Sequence, residues 1–187
     1  MAIIDKPSNF FNTKLYSGTG SEQTVSGVNF QPDWTWLKSR SNTQPHVVSD
    51  SVRGATKQLY TNTNEAETSY SQYVKSFNSD GFVLGTDAQI NQSSQTFVSW
   101  NWKAGTTSIP SGSTTNPSAV SLSTTSGIGI YKITSPASGS YVLKHGLGQT
   151  PKLVIVKDLE ATQKWMVWVD TFSNLTNDYL QLNDTAA

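Results

Sequence analysis

Apolar and polar residues alternate in short runs along most of the chain, and segments rich in Gly, Ser, Asn and Asp separate these runs. Alternation with a period of two is typical of half-buried β-strands, and the intervening residue types favour turns. Residues that favour helices do not recur at helical spacing over any long window. The pattern therefore predicts an all-β fold, an antiparallel sandwich or barrel. Its predicted strands are 14–17, 34–38, 46–50, 58–61, 73–77, 81–85, 96–103, 129–134, 141–143, 152–157, 165–169 and 179–182.

The same alternation assigns the two faces of each strand. In the predicted strand 96–103, Val98, Trp100 and Trp102 share one face. Their size predicts that this face looks toward the core. The tryptophans as a group are expected to be mainly core aromatics: Trp34, Trp36, Trp100, Trp102, Trp165 and Trp168. The alternative, for a minority of them, is a surface on which sugar rings stack.

Composition agrees with β structure and narrows the function. Six Trp, seven Tyr and seven Phe accompany abundant Ser, Thr, Asn and Gly, as half-buried strands and tight turns require. Lys plus Arg and Asp plus Glu both number 13, so the formal net charge is zero. The chain therefore has no excess of positive charge that would attract nucleic acid or an anionic membrane. No apolar run is long enough for membrane insertion. The absence of Cys excludes disulfides, thiolate metal sites and a cysteine nucleophile.

A change in composition divides the chain. Residues 104–125 are rich in Gly, Ser, Thr and Pro and almost free of large apolar residues. Such a segment is typical of a linker or an extended arm. The sequence therefore predicts a complete sandwich over 1–105, a linker over 106–126 and a second part over 127–187.

The second part restarts the pattern of the first. Gly27–Lys38 aligns with Gly146–Lys157 at an offset of 157 − 38 = 119. The later pairs Asp50 with Asp170 and Leu59 with Leu180 drift to offsets of 120 and 121. The matched residues predict structural roles: Gly27 and Gly146 in turns with positive φ, and Pro32 and Pro151 at the entry to a strand.

The alignment predicts that the second copy of the repeat is incomplete within this sequence. A half sandwich exposes strand edges and an apolar face. Three outcomes follow for the missing strands: a longer chain, strands from a neighbouring subunit, or packing of the half copy on the first copy.

Few residues suggest site chemistry. Asp50 and Arg53 are expected to form an ion pair that fixes a corner, and Gly81 to close a tight turn. Asn78, Asp80 and Asp87 supply oxygens that could bind Ca²⁺, but an ordinary turn is the preferred interpretation. His46, Ser49 and Asp50 occupy one predicted strand, where Ser49 points away from the other two, which argues against a catalytic triad. We therefore predict no catalytic residues, no metal site, no cofactor and no enzyme activity.

Four segments carry a resemblance to a known kind of domain: Phe30–Arg40, Asp50–Ala55, Ser76–Phe82 and Val98–Gly105. They resemble a repeat domain of uncharacterised structural and tail-fibre proteins of marine bacteriophages. The resemblance implies a lectin-like β sandwich of the jelly-roll or concanavalin-like kind, displayed on the virion. The expected function is that of a non-catalytic fibre, decoration or adaptor subunit. The alternative is a carbohydrate-binding adhesin that contacts a glycan on the host surface.

The expected partners are other virion proteins and further copies of this chain. A trimer is one expected assembly, with a strand or arm exchanged between subunits.

Overall fold

A computed structural model of the protein describes residues 4–112, 114–140, 142–174 and 177–184. The outermost residues of the predicted domains, 1–3 and 185–187, lie outside this part. The described residues form fourteen strands, a short helix α1 (Ala88–Asn91) and a 3-10 turn at Pro7–Asn9. The strands are β1 (Phe11–Ser17), β2 (Gln23–Val25), β3 (Trp34–Ser39), β4 (Val47–Asp50), β5 (Lys57–Tyr60), β6 (Thr68–Ser69), β7 (Val74–Asn78), β8 (Gly81–Leu84), β9 (Thr96–Trp102), β10 (Ala119–Ser123), β11 (Ile128–Lys132), β12 (Leu153–Val156), β13 (Met166–Val169) and β14 (Leu180–Gln181).

Every strand pair is antiparallel, so the prediction of an all-β antiparallel fold is confirmed. Of the strand predicted at 141–143, residue 141 lies outside the described residues, and 142 and 143 are not in a strand.

Strands β1 to β9 form two sheets that pack into a sandwich, which we call the N-terminal sandwich. The larger sheet has the order β1-β9-β3-β4-β5-β6, and the smaller has the order β2-β8-β7. β-Branched and aromatic side chains of both sheets and their loops fill the space between them. The core residues are Val25, Val28, Phe30, Leu37, Val47, Tyr73, Val74, Phe82, Leu84 and Ile90.

The inner face of the larger sheet also carries buried polar side chains. Thr35, Ser99 and Asn101 are fully buried. The hydroxyl of Thr35 donates to Asn101 Oδ1 at 3.2 Å, and Asn101 Nδ2 donates to Ser99 Oγ at 2.9 Å and to Asn12 O at 3.1 Å. Because each of these groups has a partner, their burial carries little of the penalty of an unpaired polar group.

The chain after β9 forms a hairpin and a separate small sheet. β10 and β11 pair with Val120 opposite Tyr131, and Thr106 forms an isolated bridge with Leu122. The sequence predicts a linker over 106–126, but β10 lies inside that stretch and Leu122 is buried, so this part is sheet and not an extended arm. β12, β13 and β14 form a three-stranded sheet in that order, which we call the C-terminal sheet.

The C-terminal sheet matches β3, β4 and β5 in strand order and register. Leu153 lies opposite Val169, and Trp34 lies opposite Asp50, with one offset on both strands (153 − 34 = 119; 169 − 50 = 119). The pairing of β13 with β14 matches that of β4 with β5 at offsets of 166 − 47 = 119 and 181 − 60 = 121. The offsets of 119 and 121 agree with those of the aligned sequences at β3 and β5. Asp170 was expected to correspond to Asp50, but it corresponds to Ser51, because Val169 takes the position opposite Leu153 that Asp50 has opposite Trp34.

Local hydrogen bonds correspond as well. The backbone N–H of His46 donates to Asn62 Oδ1 at 2.8 Å, and that of Trp165 donates to Asn183 Oδ1 at 2.8 Å. Three further pairs of bonds correspond. The bond from Lys38 Nζ to Ser39 O matches that from Lys157 Nζ to Asp158 O. The bond from Thr61 N to His46 O matches that from Leu182 N to Trp165 O, and the bond from Ser51 N to Asp33 O matches that from Asp170 N to Lys152 O. The strand pairings and these hydrogen bonds therefore correspond between the two segments.

Hydrogen bonds from Trp165 and to Leu159 join the C-terminal sheet and its loop to the N-terminal sandwich. Trp165 Nε1 donates to the carbonyl of Tyr60 at 2.9 Å. The N–H of Glu67 donates to the carbonyl of Leu159 at 2.8 Å. Trp165 itself is 2% exposed, so its indole ring is the buried anchor of this contact.

Candidate functional site

The outer face of the larger sheet is aromatic. Trp34 lies opposite Trp102 and Trp36 opposite Trp100 on β3 and β9, and Phe11 on β1 follows beside Trp102. We call these five side chains the aromatic face. Phe11 is exposed and the four tryptophans are half-buried, while the intervening residues of β3 and β9 point into the sandwich.

This arrangement corrects the expected faces of β9. Val98 is buried, but Trp100 and Trp102 are on the outer face and Asn101 faces the core. Trp34, Trp36 and Trp168 are also half-buried, so Trp165 alone of the predicted core tryptophans is buried. The physical reason is that the bonded polar groups Thr35, Ser99 and Asn101 fill the inner positions of β3 and β9.

The rings of the aromatic face contact one another at tilted and edge-on angles. Phe11 and Trp102 have ring centroids 4.9 Å apart, tilted by 50°. Trp36 and Trp100 are 6.2 Å apart at 74°. Edge-to-face contacts of this kind are favoured by the ring quadrupoles. The aromatic face thus contains two ring pairs in contact, one between β1 and β9 and one between β3 and β9.

His46 closes the aromatic face at one end. Trp36 Nε1 donates to His46 Nδ1 at 3.1 Å, so Nδ1 carries no proton in this arrangement. Burial, followed by the charge of Lys38, lowers the pKa of His46 from its ordinary value of 6.5. Both causes disfavour a second positive charge here, so the imidazole is neutral at pH 7.

A shallow polar depression adjoins His46 at the loop between β3 and β4. Among the side chains that line it are Arg40, Asn42, Gln44 and Asn62. The sequence pattern does not distinguish these residues, because their position beside His46 depends on the pairing of β3 with β4. Amide and guanidinium groups beside aromatic rings can together bind a neutral polar ligand.

The C-terminal sheet provides a second surface of interest. All four side chains of β12 are exposed: Leu153 by 56%, Val154 by 41%, Ile155 by 40% and Val156 by 42%. Of the twelve large apolar side chains that are exposed in the described part of the chain, seven lie between residues 153 and 182. Apolar exposure concentrated in one place is typical of an interaction surface.

The predicted turn residues have the expected backbone. Gly27 and Gly146 have φ of 78° and 70°, which confirms the expectation of positive φ. Gly81 has a φ of 153°, and a Cβ there would lie 2.0 Å from the carbonyl oxygen of Val25, so only glycine fits. Pro32 and Pro151 precede β3 and β12.

Asp80 joins the turn at Gly81 to the loop after β2. Its two carboxylate oxygens accept from the N–H groups of Gly27 at 2.8 Å and Asn29 at 2.7 Å. These two bonds lower the pKa of Asp80, with a smaller contribution from Lys14. The carboxylate therefore has a structural role in joining two loops.

Asp50 and Arg53 form the expected corner. Arg53 Nε donates to Asp50 Oδ2 at 2.5 Å, and Arg53 Nη1 donates to Glu67 at 3.1 Å. Both Asp50 and Arg53 are buried, and Arg53 Nη2 also donates to the carbonyl of Val48 at 3.3 Å. The guanidinium is thus held between two carboxylates and a backbone oxygen.

The structure does not gather the other candidate residues into a reactive group. Asp87 caps α1 by accepting from the N–H of Gln89 at 2.8 Å, and Asp80 is engaged as described above. Ser49 is buried on the inner side of β4, whereas Asp50 is engaged by Arg53. Within the described residues, no group of three or more His, Asp or Glu side chains is placed to hold a metal ion. No helix in this part of the chain is long and apolar enough to cross a membrane.

Fold and surfaces together define an all-β sandwich protein with an aromatic sheet face and an exposed apolar sheet. A family model described as a domain of unknown function, DUF7483, matches residues 6–187, and the chain belongs to that family. Comparison with curated proteins and with solved structures found no match.

Proposed function

We propose that this chain is a non-catalytic structural protein of a bacteriophage virion, which acts by assembly with other particle proteins. The observation that carries the proposal is the C-terminal sheet, whose apolar strand β12 is exposed on both faces. Exposure of this much apolar surface to water is unfavourable, and contact with another protein would bury that surface.

Further support comes from the chemistry of the polar groups. Asp50 and Arg53 are paired, Asp80 and Asp87 accept from backbone N–H groups, and the formal net charge is zero. Side chains engaged in this way serve the fold. The resemblance of four segments to a repeat domain of phage structural and tail-fibre proteins supports a location in the virion.

The proposal is tested on particles of a phage that encodes this sequence. Purified virions are digested for quantitative mass spectrometry, and a cryo-EM map locates the chain. We expect a fixed copy number per particle and density for the N-terminal sandwich on the particle surface. Abundant protein in infected cells together with its absence from purified virions would refute the proposal.

The aromatic face favours a second function, carbohydrate binding. Trp34, Trp100 and Trp102 are half-buried on this face. Trp36 contacts His46, which lines the polar depression together with Arg40 and Asn42. Apolar ring surfaces stack on sugar rings, and free N–H and amide groups bind sugar hydroxyls.

A glycan array followed by fluorescence titration tests this second function. We expect binding of a neutral or acidic glycan that is lost on Trp100→Ala. The matched control is Trp168→Ala on the C-terminal sheet, which leaves glycan binding unchanged. An array without a hit at high protein concentration would count against an adhesin.

A further inference from the structure

The free edge of β12 differs from the corresponding edge in the N-terminal sandwich. β3 has β4 on one side and β9 on the other, whereas β12 has β13 on one side and no described strand on the other. β3 and β12 correspond in register and in flanking hydrogen bonds. The backbone plan of the C-terminal sheet therefore includes a place for one more antiparallel strand.

The outward backbone groups of that edge can be assigned. The N–H of Asp170 donates to Lys152 O at 3.1 Å, so Lys152 and Asp170 form a hydrogen-bonded pair. Hydrogen-bonded and non-hydrogen-bonded pairs alternate along an antiparallel ladder. The N–H and C=O groups of Leu153 and Ile155 therefore point to the free edge.

Nothing within β12 blocks pairing there. Exposed edges in soluble proteins are commonly protected by charged side chains, prolines or bulges. Leu153–Val156 contains no charge and no proline, and its pairing with β13 is regular. The flanking charge of Lys152 is already paired with Asp170 of the same chain.

We propose that a second copy of this chain fills the free edge, with the two β12 strands antiparallel across a two-fold axis at Ile155. A two-fold axis perpendicular to a sheet relates two edge strands in antiparallel orientation. This is also the orientation of β9 beside β3. The inference rests on the proposed role in assembly and names the partner of the C-terminal sheet.

Symmetry and charge fix the register. Side chains that face each other across the axis lie on the same side of the sheet, so only registers that pair residues of equal parity are allowed. With the axis at Ile155, Val154 lies opposite Val156 and Lys152 lies opposite Asp158 of the second copy. Aliphatic cross-strand pairs and an opposite-charge pair both stabilise such a sheet. The result is a six-stranded sheet, as in the N-terminal sandwich.

The first test is the mass of the chain in solution. Light scattering coupled to size exclusion should give twice the 20.4 kDa of one chain at high concentration. Ile155→Lys places two like charges opposite each other on the axis, and we expect dimer affinity to fall by about tenfold or more. Leu15→Lys is the matched control, since Leu15 is 61% exposed on the edge strand β1, and its dimer should persist. Circular dichroism verifies that both variants are folded.

The second test is amide exchange measured by NMR at several protein concentrations. Protection of the Leu153 and Ile155 amides should rise with concentration, while the Val154 and Val156 amides, which face β13, are protected throughout. A monomer at every concentration overturns the proposal, as does a dimer in which Leu153 and Ile155 exchange freely. Either result would refute the dimer without refuting the proposed role in the virion, because a chain that is monomeric in solution can still be found in purified particles.

Discussion

Trp165 anchors the C-terminal sheet to the N-terminal sandwich, and its substitution should destabilise the C-terminal sheet more than the N-terminal sandwich. The ring is 2% exposed, and its Nε1 donates to Tyr60 O at 2.9 Å. Trp165→Phe removes that bond and leaves the carbonyl of Tyr60 with the longer bond from the N–H of Thr63 at 3.4 Å. The loss of one hydrogen bond of this kind costs about 1 kcal/mol. Trp165→Ala also removes most of the buried ring, and large-to-small substitutions of this kind cost about 3–5 kcal/mol. Domains of ordinary stability have about 5–15 kcal/mol in total, so the second variant should lose a large part of it.

Urea unfolding followed by circular dichroism measures the cost, and hydrogen exchange locates it. We expect the midpoint to fall for both variants, and amides of β12, β13 and β14 to exchange faster while those of β3 and β9 stay protected. Trp168→Phe is the matched control, because Trp168 is half-buried and its indole N–H makes no hydrogen bond within the described part of the chain. Its cost should stay within about 0.5 kcal/mol. The reasoning fails if Trp165→Phe costs no more than Trp168→Phe.

Three further predictions follow from single contacts. Asp80→Asn should destabilise the fold at neutral pH. Because folding lowers the pKa of Asp80 below 3.8, its carboxylate stabilises the fold above pH 3.8, and this contribution is lost as acid protonates it. Chemical unfolding at several pH values should therefore show a free-energy difference from wild type that shrinks below pH 3.8, and a constant difference would contradict the prediction. Acidification should protonate His46 with a midpoint below 6.5 and break its bond to Trp36, which tryptophan fluorescence reports and His46→Gln should abolish. Gly81→Ala should cost more than about 1 kcal/mol because its Cβ meets a backbone oxygen, whereas Gly127→Ala, with open space around it, should cost less in the same urea experiment.

Local features of the fold could be predicted from the sequence. The predicted strands 34–38, 81–85 and 152–157 agree with β3, β8 and β12 to within one or two residues at each end. Alternation and turn chemistry decide these elements, and both are readable within a few residues. The corner of Asp50 and Arg53 was predictable for the same reason, since three positions separate them.

The choice of the core face could not be predicted from pattern alone. Size favoured the tryptophans of β9 as the inner residues, but Asn101 lies inside because Asn12 and Thr35 on neighbouring strands satisfy its amide. Those partners are 89 and 66 residues away in sequence. β10 was missed because a polar, Gly-rich composition outweighed the short alternation of Ala119–Ser123, which is stabilised by its pairing with β11.

The inward-facing positions of β3 and β4 can be compared with the corresponding positions of β12 and β13. The corresponding inward positions are Thr35 and Val154, Leu37 and Val156, Val47 and Met166, and Ser49 and Trp168. In the N-terminal sandwich this face is buried and half polar, whereas in the C-terminal sheet it is exposed or half-exposed and wholly apolar. If this face of the C-terminal sheet were exposed only to water, polar side chains would be favoured there, because an apolar side chain stabilises a structure only when it is removed from water. The apolar replacements are therefore best explained by a covering protein surface, and this supports assembly through the C-terminal sheet over a role confined to the aromatic face.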